Sequence, residues 1–128
     1  MKIAVLIARI LLGLMFLVFG LNGFLNFLHM PMPPGAAGQY MGVLFVSHYL
    51  QAVLLVELIG GVLLLSGQFI PLALVLLGPV IFNILLFHVF LFPAGLPPAL
   101  FAAVLWFIIF FGVRQAFAGI FAQKVEVS

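Results

Sequence analysis

The stretch Ile3–Phe27, IAVLIARILLGLMFLVFGLNGFLNF, decides the fold, because it is apolar almost throughout and holds a single charged residue, Arg9. A helix needs about 20 such residues to cross ~30 Å of hydrocarbon. A strand of a membrane barrel alternates in polarity and is only about 9 to 11 residues long. The stretch therefore predicts a transmembrane helix. It is also longer than the apolar core of ~7 to 15 residues in a signal peptide, so we expect no cleavage.

Three further stretches have the same character, and prolines and glycines separate them. The second candidate span covers Tyr49–Ser66 and stops at Gly67, a residue typical of helix ends. The third covers Ile70–Phe92 and the fourth residues 99–120. The sequence thus predicts one all-α domain over residues 1–128, a membrane four-helix bundle.

The composition agrees with this fold and excludes several functions. Of the 128 residues, 68% are apolar and 5% charged, so a soluble core of this size could not bury the apolar side chains. The chain has no cysteine, which excludes thiolate and disulfide chemistry of its own. A net charge of +2 is too small for a nucleic-acid surface. Zinc-binding and nucleotide-binding motifs are missing, and no metal site is predicted.

The basic residues predict the orientation. Two lie near the N-terminus, two lie near the C-terminus, and none lies between Ile10 and Val113. Because lysine and arginine favour the cytoplasmic side, we expect both termini there, in the inner membrane of a cell. An even number of spans fits this arrangement.

The segment between the first two spans is not fixed by the sequence. Residues 29–39 are rich in proline and glycine, whereas residues 40–47 are apolar but too short to span. The second part is compatible with a short interfacial helix, a re-entrant segment or an extension of the second span.

Charged side chains inside the spans are the first candidate site. Each costs about 2.5 to 3.5 kcal/mol on insertion scales, so each needs a partner or a function. Glu57 lies near the middle of the second span. We expect it to pair with Arg9 or Arg114 in the inner half of the bundle, either to orient the helices or to handle protons or a quinone.

A second group of polar residues is predicted toward the outer face. It is either a set of interhelical hydrogen bonds or part of a ligand site. Two imidazoles at similar depth could also ligate haem, but nothing in the spacing demands it, and haem is not expected. The group comprises Asn22, Asn26, His48, Gln51, Asn83 and His88.

Three of the spans contain pairs of short motifs: Ala8–Gly13 and Phe19–Asn22, Glu57–Gly61 and Leu63–Gly67, and Pro71–Leu74 and Asn83–His88. In their order and spacing these motifs resemble the DoxX family of small bacterial membrane proteins. The resemblance implies a four-helix bundle in the inner membrane. It also implies a link to a thiosulfate to quinone oxidoreductase, in which this cysteine-free chain would leave sulfur chemistry to a partner.

The resulting hypothesis is a membrane subunit of a redox system that binds a quinone or anchors a partner oxidoreductase. Two other classes remain open at this point. One is a structural or assembly protein without chemistry, alone or as an oligomer. The other is a transporter of ions or small molecules, which Glu57 favours and the scarcity of other charged groups disfavours.

Overall fold

A computed structural model describes all residues 1–128 and contains five helices and no strands. Two short 3-10 turns, Pro93–Gly95 and Arg114–Phe117, precede and follow the last helix. The helices are α1 (Lys2–Leu25), α2 (Gly35–Val46), α3 (Tyr49–Ser66), α4 (Ile70–Phe90) and α5 (Leu96–Gly112). Of these, α1, α3, α4 and α5 with its preceding turn are long and apolar enough to cross a membrane. The predicted all-α bundle of four spans is confirmed.

Most helix ends agree with the sequence. Gly67 ends α3 with φ +74°, and its N–H donates to the carbonyls of Leu63 and Leu64. Only glycine adopts this left-handed backbone without cost, which explains the tight turn into α4. Pro71 lies in the first turn of α4, where its missing N–H is not needed.

The fourth span differs from its predicted bounds of 99–120. Pro97 and Pro98 lie inside the first turn of α5, and the helix ends at Gly112. The chain then enters a 3-10 turn at Arg114, although residues 116–120 are again apolar. The span predicted from hydropathy therefore ends eight residues beyond the end of the helix.

The short helix α2 settles part of the question about residues 29–48. It begins at Gly35, which is earlier than the apolar run, and it is separated from α3 by His48, whose φ is +65°. It is therefore a distinct helix and not an extension of the span. Its 12 residues reach about 18 Å, which is too short to cross a membrane. It packs against α3, with Ala37 buried.

The four spans form a ring in which each contacts two neighbours: α1 packs on α3 and α5, and α4 packs on the same two helices. Because consecutive spans reverse direction, all neighbours are antiparallel. Leu12, Leu64, Leu74, Leu77 and Ile109 are fully enclosed at the centre of the ring.

Glycines set the close contact between α1 and α3. A methyl group at Gly61 would lie 3.0 Å from the Gly13 carbonyl oxygen and 3.1 Å from the Leu17 nitrogen. These are backbone atoms of α1, so the two helices touch along their main chains. This is the role expected of small residues between membrane helices.

The outer surface of the ring is apolar. Only 20 of 128 residues are buried, and large side chains such as Val75, Phe82 and Val104 are more than half exposed. A surface of this kind is stable only in contact with lipid, since water would penalise every exposed ring and branched chain. The fold is that of a multi-pass helical membrane protein.

Candidate functional site

The candidate site begins on the inner face of α3. The buried residues of this helix recur at spacings of three or four, so they share one face that points into the ring. They are Leu54, Glu57, Gly60, Gly61 and Leu64. Glu57 is the one charged member of that face and is 8% exposed.

Contacts with the neighbouring helices fix the depth of Glu57. A methyl group at Gly20 of α1 would lie 2.9 Å from a methyl group of Leu58, so the two helices meet at that level. On the other side, Gly60 packs against Leu77 of α4. Glu57 therefore lies level with Gly20, well inside the span.

The predicted ion pair of Glu57 with Arg9 or Arg114 is not formed. No hydrogen bond or salt bridge joins the Glu57 carboxylate to another group, and the side chain is buried. The guanidinium group of Arg9 lies beside Gly67 instead, because a methyl group at that glycine would be 2.7 Å from its Nη1 atom. Gly67 follows Glu57 by ten residues, or about 15 Å along the helix. Neither side chain can span that distance.

The position of Arg9 has its own electrostatic explanation. Gly67 marks the carboxyl end of α3, where unpaired backbone carbonyls carry partial negative charge. The guanidinium group is attracted to that end. Its Nε atom is enclosed and has no hydrogen-bond partner.

Arg114 lies outside the spans. It follows the end of α5, is exposed, and donates from Nη1 to the Phe111 carbonyl oxygen at 2.7 Å. Arg114 does not lie in the inner half of the bundle as expected, because α5 stops at Gly112, earlier than hydropathy indicates.

Asn22 and Asn26 build the end of α1. Asn26 has φ +52°, and its N–H donates to the Asn22 carbonyl oxygen at 2.7 Å. The side chain of Asn22 is buried, and its Oδ1 accepts a hydrogen bond of 2.6 Å from the Leu28 N–H. Both asparagines therefore turn the chain out of the helix, and their polar atoms do not converge with those of other helices.

Asn83 lies on the exposed side of α4. Its Nδ2 donates to the Pro79 carbonyl oxygen at 2.9 Å, one turn earlier in the same helix. Pro79 lies inside α4, where its ring removes one backbone donor. The amide of Asn83 thus bonds the helix that carries it and does not line the interior.

His88 and His48 have separate positions. His88 packs over Gly95, and its Nδ1 lies 3.0 Å from the Phe92 carbonyl oxygen, so this nitrogen carries the proton when the ring is neutral. His48 is exposed at the start of α3. No group of three or more histidine, cysteine, aspartate or glutamate residues could hold a metal ion.

Gln51 resembles Glu57 in lacking a partner. It is half-buried, and its Oε1 atom is enclosed without a hydrogen bond. It precedes Glu57 by six residues, or about 9 Å along α3. The predicted outer cluster is therefore not a single site, and α3 carries two polar side chains without a partner, Gln51 and Glu57, in addition to Arg9 of α1.

Sequence reasoning missed Trp106. Its Nε1 donates to the Leu74 carbonyl oxygen at 3.0 Å, a side-chain hydrogen bond between α5 and α4. The ring also stacks on Phe110, with centroids 5.5 Å apart. The signal was available, since a tryptophan inside a span needs an acceptor for its indole N–H.

The chain matches no family model, and searches of curated proteins and of solved structures find no similar protein. The geometry itself defines an apolar ring of four spans with one carboxyl group inside. Such a group can accept or donate a hydrogen bond to a ligand that arrives through the lipid.

Proposed function

We propose that this protein is a membrane subunit of a redox system whose bundle binds a quinone, with Glu57 as the polar contact of the quinone ring. The observation that carries the proposal is the Glu57 side chain, which points into the ring of helices, is 8% exposed and has no partner in the chain.

The free-energy cost of placing the Glu57 carboxyl group inside the membrane argues for a function beyond folding. A carboxyl group in the interior of a membrane protein costs about 2.5 to 3.5 kcal/mol unless it is paired. Three other polar side chains of the spans bond nearby backbone: Asn22 bonds Leu28, Asn83 bonds Pro79, and His88 bonds Phe92. Glu57 forms no such hydrogen bond. An apolar residue at this position would therefore pack on the same face of α3 at a lower free-energy cost.

A quinone fits the chemistry of this position. It dissolves in lipid, and its ring carries two oxygens that accept hydrogen bonds as a quinone and donate them as a quinol. A carboxyl group can serve either form, by donating when protonated and accepting when ionised. The accessible part of Glu57 is where such a ring would make contact.

The resemblance to the DoxX family supports the same proposal. Its motif Glu57–Gly61 includes the candidate carboxylate and the glycines that pack α3 against its neighbours. On this basis we place the protein in a bacterial inner membrane beside a partner oxidoreductase. The absence of cysteine assigns any sulfur chemistry to that partner.

The orientation is part of the proposal. All four lysine and arginine residues lie before Ile10 or after Val113. With four spans the two ends share one side of the membrane, and the basic residues assign that side to the cytoplasm.

Quinone retention tests this function. The wild-type protein and two variants, Glu57→Gln and Asn83→Ala, are reconstituted in nanodiscs containing a quinone, washed, and extracted for mass spectrometry. Asn83→Ala is the matched control, because it removes a polar group that faces outward from α4. We expect about one quinone per wild-type and control protein, and at least tenfold weaker binding for Glu57→Gln, since hydrogen bonds to charged groups contribute ~1.5 to 3 kcal/mol. Equal retention by Glu57→Gln, or none by the wild type, would refute the proposal.

A structural or assembly protein is the second candidate. It is favoured by the side chains of Asn22, Asn83 and His88, each of which forms a hydrogen bond with nearby backbone. If Glu57→Gln assembles with the same partners and changes no activity or ligand binding, this second candidate replaces the first.

A further inference from the structure

The end of the bundle that holds the start of α1 contains a basic cleft that the proposed quinone site does not use. It lies where the start of α1 meets the end of α5 and has a volume of about 310 Å³. Its lining residues are Met1, Lys2, Val5, Leu6, Arg9 and Gly112. The cleft is therefore lined by two basic side chains together with apolar ones.

The two cations share one face of α1. Lys2 and Arg9 are seven residues apart, which is close to two full turns, so their side chains extend from the same side of the helix. Their Cα atoms are about 10 Å apart along the axis. Both side chains are long enough to reach an anion held between them.

Arg9 and Lys2 both bring positive charge to this cleft. The Nε atom of Arg9 is enclosed by protein, so a ligand would contact the terminal nitrogens of its guanidinium group. Two cations without a carboxylate between them favour an anionic oxygen. Neither acidic residue supplies one, because Glu57 is about 15 Å away along α3 and Glu126 lies exposed near the C-terminus.

The apolar part of the cleft indicates which anion fits. Val5 packs against Gly112, where a side chain on the glycine would overlap it, and Leu6 is 45% exposed beside them. A soluble phosphate ion would gain nothing from these side chains. A phospholipid would place its phosphate between Lys2 and Arg9 and its acyl chain along Val5 and Leu6.

We infer that this cleft binds the phosphate group of an anionic phospholipid at the inner surface of the membrane. Basic pockets between membrane helices on the cytoplasmic side suit such headgroups. The site is independent of Glu57. It would place a fixed lipid in the groove between α1 and α5, next to the turn that joins α3 to α4.

The test measures lipid binding by native mass spectrometry on the purified full-length protein. The protein is delipidated and offered phosphatidylglycerol or phosphatidylcholine, and the variants are Lys2→Gln, Arg9→Gln and Lys124→Gln. Lys124→Gln is the control, since it removes the same charge at a residue that does not line the cleft. Lys2 is exposed at the start of α1, so its variant keeps the fold even if Arg9→Gln does not.

We expect phosphatidylglycerol to bind at least tenfold more tightly than phosphatidylcholine. Lys2→Gln should weaken that binding about fivefold and Arg9→Gln at least tenfold, while Lys124→Gln leaves it unchanged. Equal losses in all three variants, or no preference for the anionic lipid, would overturn the inference. A competition arm with glycerol phosphate distinguishes the source of the phosphate. Displacement of the lipid by equimolar glycerol phosphate would assign the cleft to a soluble anion instead.

Discussion

Substituting Gly61 tests the packing that positions Glu57. In Gly61→Ala, the new methyl group would lie 3.0 Å from the Gly13 carbonyl oxygen and 3.1 Å from the Leu17 nitrogen. Because both are backbone atoms, α1 must shift as a unit to relieve the contact. Overpacking of this kind costs about 1 to 3 kcal/mol.

The matched control is Gly42→Ala in α2, where a methyl group would meet nothing within 4 Å. Both changes replace glycine by alanine inside a helix, so both gain the same ~1 kcal/mol of helix propensity. The difference between the two variants therefore isolates the steric cost. We expect ~1 to 3 kcal/mol, which is roughly a fivefold to 150-fold difference in the unfolding equilibrium.

The assay is reversible unfolding in mixed micelles, followed by the fluorescence of Trp106, the single tryptophan of the chain. The indole ring contacts α4, so its emission reports separation of the helices. If Gly61→Ala unfolds within ~0.5 kcal/mol of Gly42→Ala, α1 and α3 do not meet along these glycines, and the depth assigned to Glu57 is wrong.

Three further predictions concern the core, the indole hydrogen bond and the topology. Leu77→Ala should cost ~2 to 5 kcal/mol because Leu77 is fully enclosed, whereas Leu72→Ala on the lipid side of α4 should cost less than ~1 kcal/mol in the same assay. Trp106→Phe should cost about 0.6 kcal/mol, the typical contribution of a side-chain hydrogen bond between membrane helices, measured by thermal unfolding with far-ultraviolet circular dichroism. In the cysteine-free chain, Ser128→Cys should react with an impermeant maleimide only after the cells are opened, and Ala36→Cys should react in intact spheroplasts. The reverse labelling pattern would invert the proposed orientation.

Much of the fold follows from the sequence because lipid imposes simple rules. Continuous apolar runs must be helices, and Gly67 and Pro71 mark where one span ends and the next begins. The end of the fourth span was missed because residues 116–120 are apolar although the helix has already stopped at Gly112. An apolar composition shows which residues can lie in lipid. The end of the helix depends instead on where the backbone hydrogen bonds stop.

The candidate site was only partly predictable. The sequence placed Glu57 near the middle of the second span, and the structure shows that it belongs to the buried face of α3. The absence of an ion pair could not be predicted, because a long arginine side chain can extend in either direction along the helix. Arg9 turns toward the carboxyl end of α3, and Asn22 and Asn83 bond backbone in their own neighbourhood. The partner of each of these side chains depends on which polar backbone groups lie nearby, and the spacing of residues in the sequence does not show this.

The most direct test of the central claim is to map where a quinone contacts the bundle. A quinone carrying a photoreactive group on its ring is incorporated with the protein into nanodiscs and activated by light, and the labelled residues are identified by peptide mass spectrometry. We predict labelling of α3 around Glu57 and of the facing part of α1 near Gly20, both abolished by excess unlabelled quinone and by Glu57→Gln. Labelling spread over the lipid-facing residues of all four spans, unchanged in Glu57→Gln, would contradict a quinone site in this protein.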